Sequence, residues 1–160
     1  MPKSNETGIQ ALLTKIHKDY PDVSFVVGER FSWHPGKGSV SFQDAANNKP
    51  GIWSLLHEVG HALLHHDDYR YDIELLQLEV AAWEKARKLA LEYKIQISED
   101  YVQDCLDTYR DWLHMRATCP VCSTRSLQAS SDHYHCFNCG AEWQVSRSRL
   151  CRPYRLKTAV

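Results

Sequence analysis

The chain has no long apolar run: none of its hydrophobic stretches approaches the roughly 20 residues that a membrane-spanning helix requires. Its first residues, Met1 to Glu6, are polar and lack the apolar segment of a secretory signal peptide, and there is no internal repeat or low-complexity segment. What is present, 43% hydrophobic and 24% charged residues, is typical of a globular protein and excludes a disordered chain. We therefore expect a cytoplasmic protein without membrane contact.

The near-neutral charge of the whole chain conceals an asymmetry between its two ends. Residues 1–116 carry 13 Lys and Arg against 18 Asp and Glu, whereas residues 117–160 carry 6 against 2. A change of sign of this kind indicates a domain boundary. We predict a first domain over residues 1–116, a small cysteine-containing domain over 117–145 and a basic C-terminal tail over 146–160.

Hydrophobic periodicity predicts four helices, at residues 7–18, 50–66, 73–93 and 98–115. Residues 23–27 and 39–42 are rich in β-forming side chains and are joined by a loop that contains Pro35, Gly36 and Gly38. That pattern predicts two paired strands. The expected fold class is α+β, with a small antiparallel sheet in the first domain.

One short motif, H-E-x-x-H at His57, Glu58 and His61, lies within the second predicted helix. Residues four apart share one face of a helix, so both imidazoles can bind the same zinc ion while Glu58 reaches the water on that metal. The motif therefore predicts a zinc hydrolase in which Glu58 is the catalytic base.

A catalytic zinc site typically has three protein ligands, so a third one is needed. His65 is a poor candidate, because eight residues of helix separate it from His57 by about 12 Å; His65 and His66 are expected to cap or pack the helix end. Glu79 is better placed, since Ala82, Trp83 and Ala86 lie on its face of the third helix and a buried carboxylate needs a partner. The alternative is a partly buried glutamate bonded to an arginine or a tyrosine.

The motif, together with Glu79 in the segment Leu78-Glu79-Val80-Ala81-Ala82-Trp83, resembles the ImmA/IrrE-type metallopeptidases of bacteria and their mobile elements. The resemblance covers about residues 7–115. It implies a minimal gluzincin-like, zincin-fold peptidase in which His57, His61 and Glu79 bind zinc and residues 39–42 edge the substrate cleft. It also implies a specific protein substrate, such as a transcriptional repressor, although the helix-turn-helix domain that many members carry is not evident here.

Two C-x-x-C pairs, Cys119 with Cys122 and Cys136 with Cys139, are separated by 13 residues. In a cytoplasmic chain such pairs indicate a metal site, and four thiolates at this spacing are typical of a structural zinc ribbon. His133 and His135 are expected to be strand residues, because four cysteines already complete a zinc shell. Two zinc ions per chain are thus predicted, one catalytic and one structural.

The tail that follows contains five basic residues and no acid: Arg147, Arg149, Arg152, Arg155 and Lys157. It is expected either to contact nucleic-acid phosphates or an acidic partner, or to be a solvated segment. Two other functions remain open at this point. One is a DNA-associated protease of the SprT group, which would need a third histidine ligand; the other is a non-catalytic regulator in which both metal sites are structural.

Overall fold

The structure is a computed structural model that describes residues 8–146 and the backbone of residues 156 and 157. Contacts between residues divide the chain into two units, Met1–Asp67 with Leu78–Glu99 and Asp68–Gln77 with Asp100–Val160. In the part of the chain that the structure describes, four α-helices and two small sheets confirm the α+β class. The domain boundaries inferred from charge stay a prediction.

The helices occur where periodicity predicts them: α1 at Ile9–Asp19, α2 at Lys49–Leu63, α3 at Asp72–Glu92 and α4 at Glu99–Ala117. Asn48 caps α2, since its side-chain oxygen accepts a hydrogen bond from the Gly51 amide at 2.8 Å, and Pro50 lies in the first turn. The apolar face of α1 is buried, as expected, through Ile9, Leu12, Leu13 and Ile16. Among the described residues no helix combines the length and the apolar character that crossing a membrane requires.

The sheet of the first unit differs from the expected antiparallel pair. Strands β1 (Ser24–Val27) and β3 (Ser39–Phe42) are neighbours, but they run parallel. A further strand, β2 (Ser32–His34), lies in the connection and pairs with β3 in the antiparallel sense. This strand reverses the chain before β3 begins, so β2 and β3 form the hairpin and β1 pairs with β3 in parallel.

Strand order β1-β3-β2 also corrects the expected role of residues 39–42. Strand β3 is hydrogen-bonded on both sides and buried along its whole length, so it has no free edge for a substrate. The edge strands on either side of β3 are β1 and β2, and sequence patterns did not predict β2.

The second unit contains the cysteine pairs and a four-stranded sheet whose antiparallel strands follow chain order. They are β4 at Leu127–Gln128, β5 at His133–His135, β6 at Glu142–Gln144 and β7 at Leu156–Lys157. The buried cluster around the cysteines is small and consists of Cys119, Tyr134, Cys136, Trp143 and Val145.

A buried ion pair lies beside that cluster within the second unit. The Arg116 guanidinium donates to the Asp72 carboxylate at 2.6 Å, and the Tyr134 hydroxyl donates to the same carboxylate at 2.7 Å. Both charged side chains are almost fully buried. The indole N–H of Trp143 also donates to the Arg116 carbonyl at 2.9 Å, so the pair is surrounded by further polar partners, as a buried charge requires.

Candidate metal centres

Helices α2 and α3 bring the predicted ligands of the first site together. Nε2 of His57 lies 2.9 Å from Oε2 of Glu79 and 3.1 Å from Nε2 of His61, and Nε2 of His61 lies 3.4 Å from Oε1 of Glu79. All three residues are buried, with exposed fractions of 8%, 9% and 5% for His57, His61 and Glu79. The partners of Glu79 are therefore the two histidines of the motif, and not an arginine or a tyrosine.

Close packing of α2 on α3 makes this convergence possible. A Cβ atom at Gly60 would lie only 2.5 Å from the Ala82 carbonyl oxygen. The two helices can therefore come this close only because Gly60 has no side chain. One turn away, the His57 ring stacks on Trp83 with a centroid distance of 4.3 Å. Gly60 and Trp83 thus set the separation and orientation of the donor atoms.

The donor set fits a metal ion. Donors around a tetrahedral zinc at 2.0–2.1 Å are separated by about 3.3 Å. The separations of 2.9, 3.1 and 3.4 Å are close to this value, although the two that involve Glu79 end on different oxygens of its carboxylate. Burial opposes ionisation of Glu79, yet hydrogen bonds and charge interactions with His57 and His61 outweigh it and hold the pKa of Glu79 well below its usual range. The site thus combines a carboxylate with two imidazoles, a donor set typical of zinc.

Glu58 lies beside these ligands on α2 and is half-buried. Its Oε2 atom accepts a hydrogen bond from the peptide N–H of Trp33 at 2.8 Å. Trp33 belongs to β2, so the strand that sequence patterns missed orients the predicted base. No local signal in a three-residue strand indicates this contact, because it joins residues 25 positions apart.

His66 lies at the end of α2, where the sequence places it, but its contact with His61 is not predicted by the sequence. Its Nδ1 atom lies 2.8 Å from Nδ1 of His61, and its carbonyl accepts the indole N–H of Trp33 at 2.7 Å. Burial, followed by interaction with His61, lowers the pKa of His66. His65, in contrast, is exposed at the helix end, as expected.

The four cysteines form the second site. Their sulfur atoms lie within 4.8 Å of one another, with 3.6 Å between Cys119 and Cys139 and between Cys122 and Cys136. Zinc–sulfur bonds of about 2.3 Å in a tetrahedron place sulfurs about 3.8 Å apart, so the group can hold a metal ion. Hydrogen bonds, the largest from Asn138 and the next from Thr124, lower the pKa of Cys122 to about 5 and favour the thiolate that a metal requires.

The remaining predicted residues fall outside both sites. His133 and His135 are residues of β5 and pair with Asp132 and Glu142, at 2.8 Å and 3.3 Å. The basic side chains predicted to contact a partner, from Arg147 to Lys157, lie outside the described residues, as does Cys151.

Searches against protein-family models, curated proteins and solved structures found no match for this chain. The assignment of function therefore depends on the two donor groups and on the residues around them.

Proposed function

We propose that the protein is a zinc-dependent metallopeptidase of the zincin-like, ImmA/IrrE-type kind. The observation that carries the proposal is the convergence of His57, His61 and Glu79 from two helices, with Glu58 next to the first histidine. Histidines alone can serve a structural site, but the H-E-x-x-H pattern adds a glutamate that is not needed as a ligand. A base in that position supports catalysis over a purely structural role.

The residues around the site supply the remaining chemistry. A zinc ion held by His57, His61 and Glu79 would activate a water molecule and polarise the peptide carbonyl. Glu58 would accept the proton of the attacking water and return it to the leaving amine as the C–N bond breaks. The Trp33 N–H bond restricts the Glu58 carboxylate, which reduces the reorganisation needed during proton transfer.

Strand β2 is the element best suited to align a substrate in the first unit. It pairs with β3 alone, so one of its edges has no strand neighbour in this sheet. An extended peptide can add to such an edge through main-chain hydrogen bonds. Because Trp33 on this strand contacts Glu58, a peptide bound here would run close to the base.

The substrate we propose is a specific protein partner, such as a transcriptional repressor, rather than peptides in general. This part of the proposal comes from the family resemblance of residues 7–115. The four cysteines would hold a second, structural zinc ion in a ribbon, since a cluster of five buried residues is too small to be stable without one. Contact with nucleic acid or an acidic partner through the basic tail belongs to the same proposal, as does a cytoplasmic location.

The SprT-type alternative receives less support. A protease of that group would bring a third histidine to the metal, whereas Glu79 completes the donor group among the described residues. The other alternative, a non-catalytic regulator, is distinguished from a peptidase by the experiment described next.

Elemental analysis of zinc, combined with cleavage assays, tests the proposal. We expect two zinc ions per wild-type chain, loss of one in Glu79→Ala, loss of the other in Cys119→Ser, and no loss in Glu84→Ala, which removes an exposed glutamate from the same helix. Hydrolysis of a peptide mixture should disappear in Glu58→Gln while both zinc ions remain. Zinc retained in Glu79→Ala would refute the ligand set; a wild type with both zinc ions and no hydrolysis of peptides or captured protein partners would favour the regulator.

A further inference from the structure

Helix α2 ends in a Schellman motif directly after the second histidine of the H-E-x-x-H sequence. The His65 amide donates to the Ala62 carbonyl and the His66 amide donates to the His61 carbonyl, both at 3.1 Å. His65 adopts the left-handed conformation that this motif requires, with a φ of 53°. The chain therefore turns back at His65 and places His66 beside His61.

A hydrophobic contact between the two residues brought together this way frequently accompanies a Schellman motif. Here both are histidines, with ring centroids 5.0 Å apart and an angle of 71° between the rings. The two Nδ1 atoms face one another at 2.8 Å, a hydrogen-bond distance. One of these two nitrogens must therefore carry a proton and the other must accept it.

The position of Glu79 indicates which nitrogen is the donor. The His61 ring directs Nε2 towards His57 and Glu79, so Nε2 is the atom available to a metal. A neutral imidazole that ligates through Nε2 keeps its proton on Nδ1. His61 then donates from Nδ1, and Nδ1 of His66 accepts.

The two histidine ligands differ in whether Nδ1 has a hydrogen-bond partner. Nδ1 of His57 is buried and has no hydrogen-bond partner among the described residues. Metal-binding histidines usually donate their second ring nitrogen to a neighbouring acceptor, which fixes the tautomer and the ring orientation. Among residues 8–146, His66 fills that role for His61.

His66 also connects to the predicted base. Its carbonyl accepts the Trp33 indole N–H at 2.7 Å, and the peptide N–H of Trp33 donates to Glu58 at 2.8 Å. His66 thus contacts the ligand His61 through its side chain. Through its carbonyl it contacts Trp33 of β2, the residue that donates a hydrogen bond to Glu58.

We propose that His66 is a positioning residue of the histidine–glutamate metal centre, which accepts the Nδ1 proton of His61 and so holds Nε2 ready for the metal. The inference rests on the zinc site proposed above. It does not make His66 a ligand or a catalytic group.

Zinc affinity provides a test that does not depend on activity. The zinc that disappears in His57→Ala defines the histidine site, and its affinity is measured by competition with a chromophoric chelator. We expect His66→Phe, which keeps an aromatic ring but lacks an acceptor, to weaken binding about 10- to 100-fold. His66→Asn should recover most of the affinity, because its side-chain oxygen can occupy a place close to that of Nδ1. His65→Asn, which changes the exposed neighbour to a residue that tolerates the left-handed conformation, should bind as wild type does.

Wild-type affinity in His66→Phe, or equal losses in His66→Phe and His66→Asn, would overturn the inference. The imidazole ¹⁵N spectrum of the zinc-loaded wild type provides a second measurement that needs no variant at position 66. A proton on Nδ1 of His61 is expected, and a proton on Nδ1 of His66 in its place would contradict the proposal. If His57→Ala lost no zinc, the metal site itself would fail, a result distinct from a failure at His66 alone.

Discussion

Glu79 and Glu84 lie five residues apart on α3 in opposite environments. Glu79 is 5% exposed and bonded to two histidines, whereas Glu84 is exposed. This difference could be predicted, because the neighbours of Glu79 on the helix surface are apolar and those of Glu84 include Arg87 and Lys88. The burial of a single residue can therefore be predicted from the sequence when its neighbours on the helix surface show a clear pattern.

The contacts of His66 and Trp33, in contrast, could not be predicted from the sequence. The sequence places His66 at the end of the helix, but its contact with His61 depends on a left-handed turn at His65, and histidine is not a strong signal for that conformation. Trp33 meets Glu58 only after a strand and a helix have packed together. Contacts that follow from local backbone reversal or distant packing leave no spacing pattern to detect.

Replacing His65 by glycine is expected to stabilise the protein. A left-handed φ of 53° is unfavourable for a side chain with a Cβ atom, and glycine relieves that cost, which we put at about 0.5–1 kcal/mol after the greater unfolded-state entropy of glycine is included. Urea denaturation of the zinc-loaded protein measures the effect. His65→Ala, which keeps the Cβ atom, serves as the control. A glycine variant no more stable than the alanine variant would show that the turn carries no strain.

At the scale of elements, the packing of α2 on α3 depends on one position. Gly60→Ala would place a methyl group 2.5 Å from the Ala82 carbonyl, and the helices would have to separate. We expect a loss of roughly 1–3 kcal/mol in the free energy of unfolding, together with weaker zinc binding, because His57 and His61 would move away from Glu79.

The matched control is Gly36→Ala, since a Cβ atom there meets nothing within 4 Å. Denaturation curves and chelator competition compare the two variants. Equal behaviour of both would mean that the helices can repack around a methyl group.

The sheets show a different limit of sequence analysis. Segments 23–27 and 39–42 were correctly predicted as strands, yet their parallel pairing was not, because β2 within the loop was too short to show alternation. A strand of three residues, Ser32–His34, gives no period to recognise. The order of strands, and with it the free edge beside the site, then follows from tertiary packing alone.

Within the second unit, the buried carboxylate of Asp72 links α3, α4 and β5. Burial, followed by the hydrogen bond and negative charge of Asp72, raises the pKa of Tyr134 above its ordinary value. The phenol therefore ionises more easily in the unfolded chain than in the folded one. The contribution of the Tyr134 hydroxyl to the free energy of unfolding is complete below about pH 10 and is lost as the pH rises further.

Tyr134→Phe should accordingly be less stable than wild type at pH 8, by about 1.5–3 kcal/mol for a lost hydrogen bond to a charged group. The difference should shrink between pH 10 and 11, where the unfolded wild type gains stability by ionising. Urea denaturation of zinc-loaded protein across this range measures both effects, with Tyr71→Phe in the same unit as control. A difference that stays constant with pH would contradict the assignment.

At the scale of the whole molecule, the two units differ in the apolar material available to them. The first buries many large aliphatic side chains, among them Leu12, Ile16, Leu55, Leu56 and Leu89. In the second, α4 buries Val102, Leu106 and Trp112, but the buried cluster around the cysteines has only five residues, two of which are the metal-binding candidates Cys119 and Cys136. Stability of that region is therefore expected to depend on the metal.

Loss of metal from the four-cysteine group should unfold the segment that contains it. We expect Cys136→Ser to expose the peptide bond after Arg125 to rapid tryptic cleavage, while most of the helical circular dichroism remains. Cys105→Ser, which changes a cysteine outside the group, should resist cleavage as wild type does. Equal resistance in both variants would show that the segment is stable without its metal.

The contact between Gly60 and the Ala82 carbonyl also has a use in genome searches. A chain that builds this centre in the same way needs glycine directly before the second histidine, because the backbone of the glutamate helix passes too close for a Cβ atom there. The resulting query is H-E-x-G-H, followed by a glutamate 18 residues after its last histidine. The glycine in this query follows from a steric requirement and the other residues from the metal site, so the query can identify distant proteins in which the rest of the sequence has diverged.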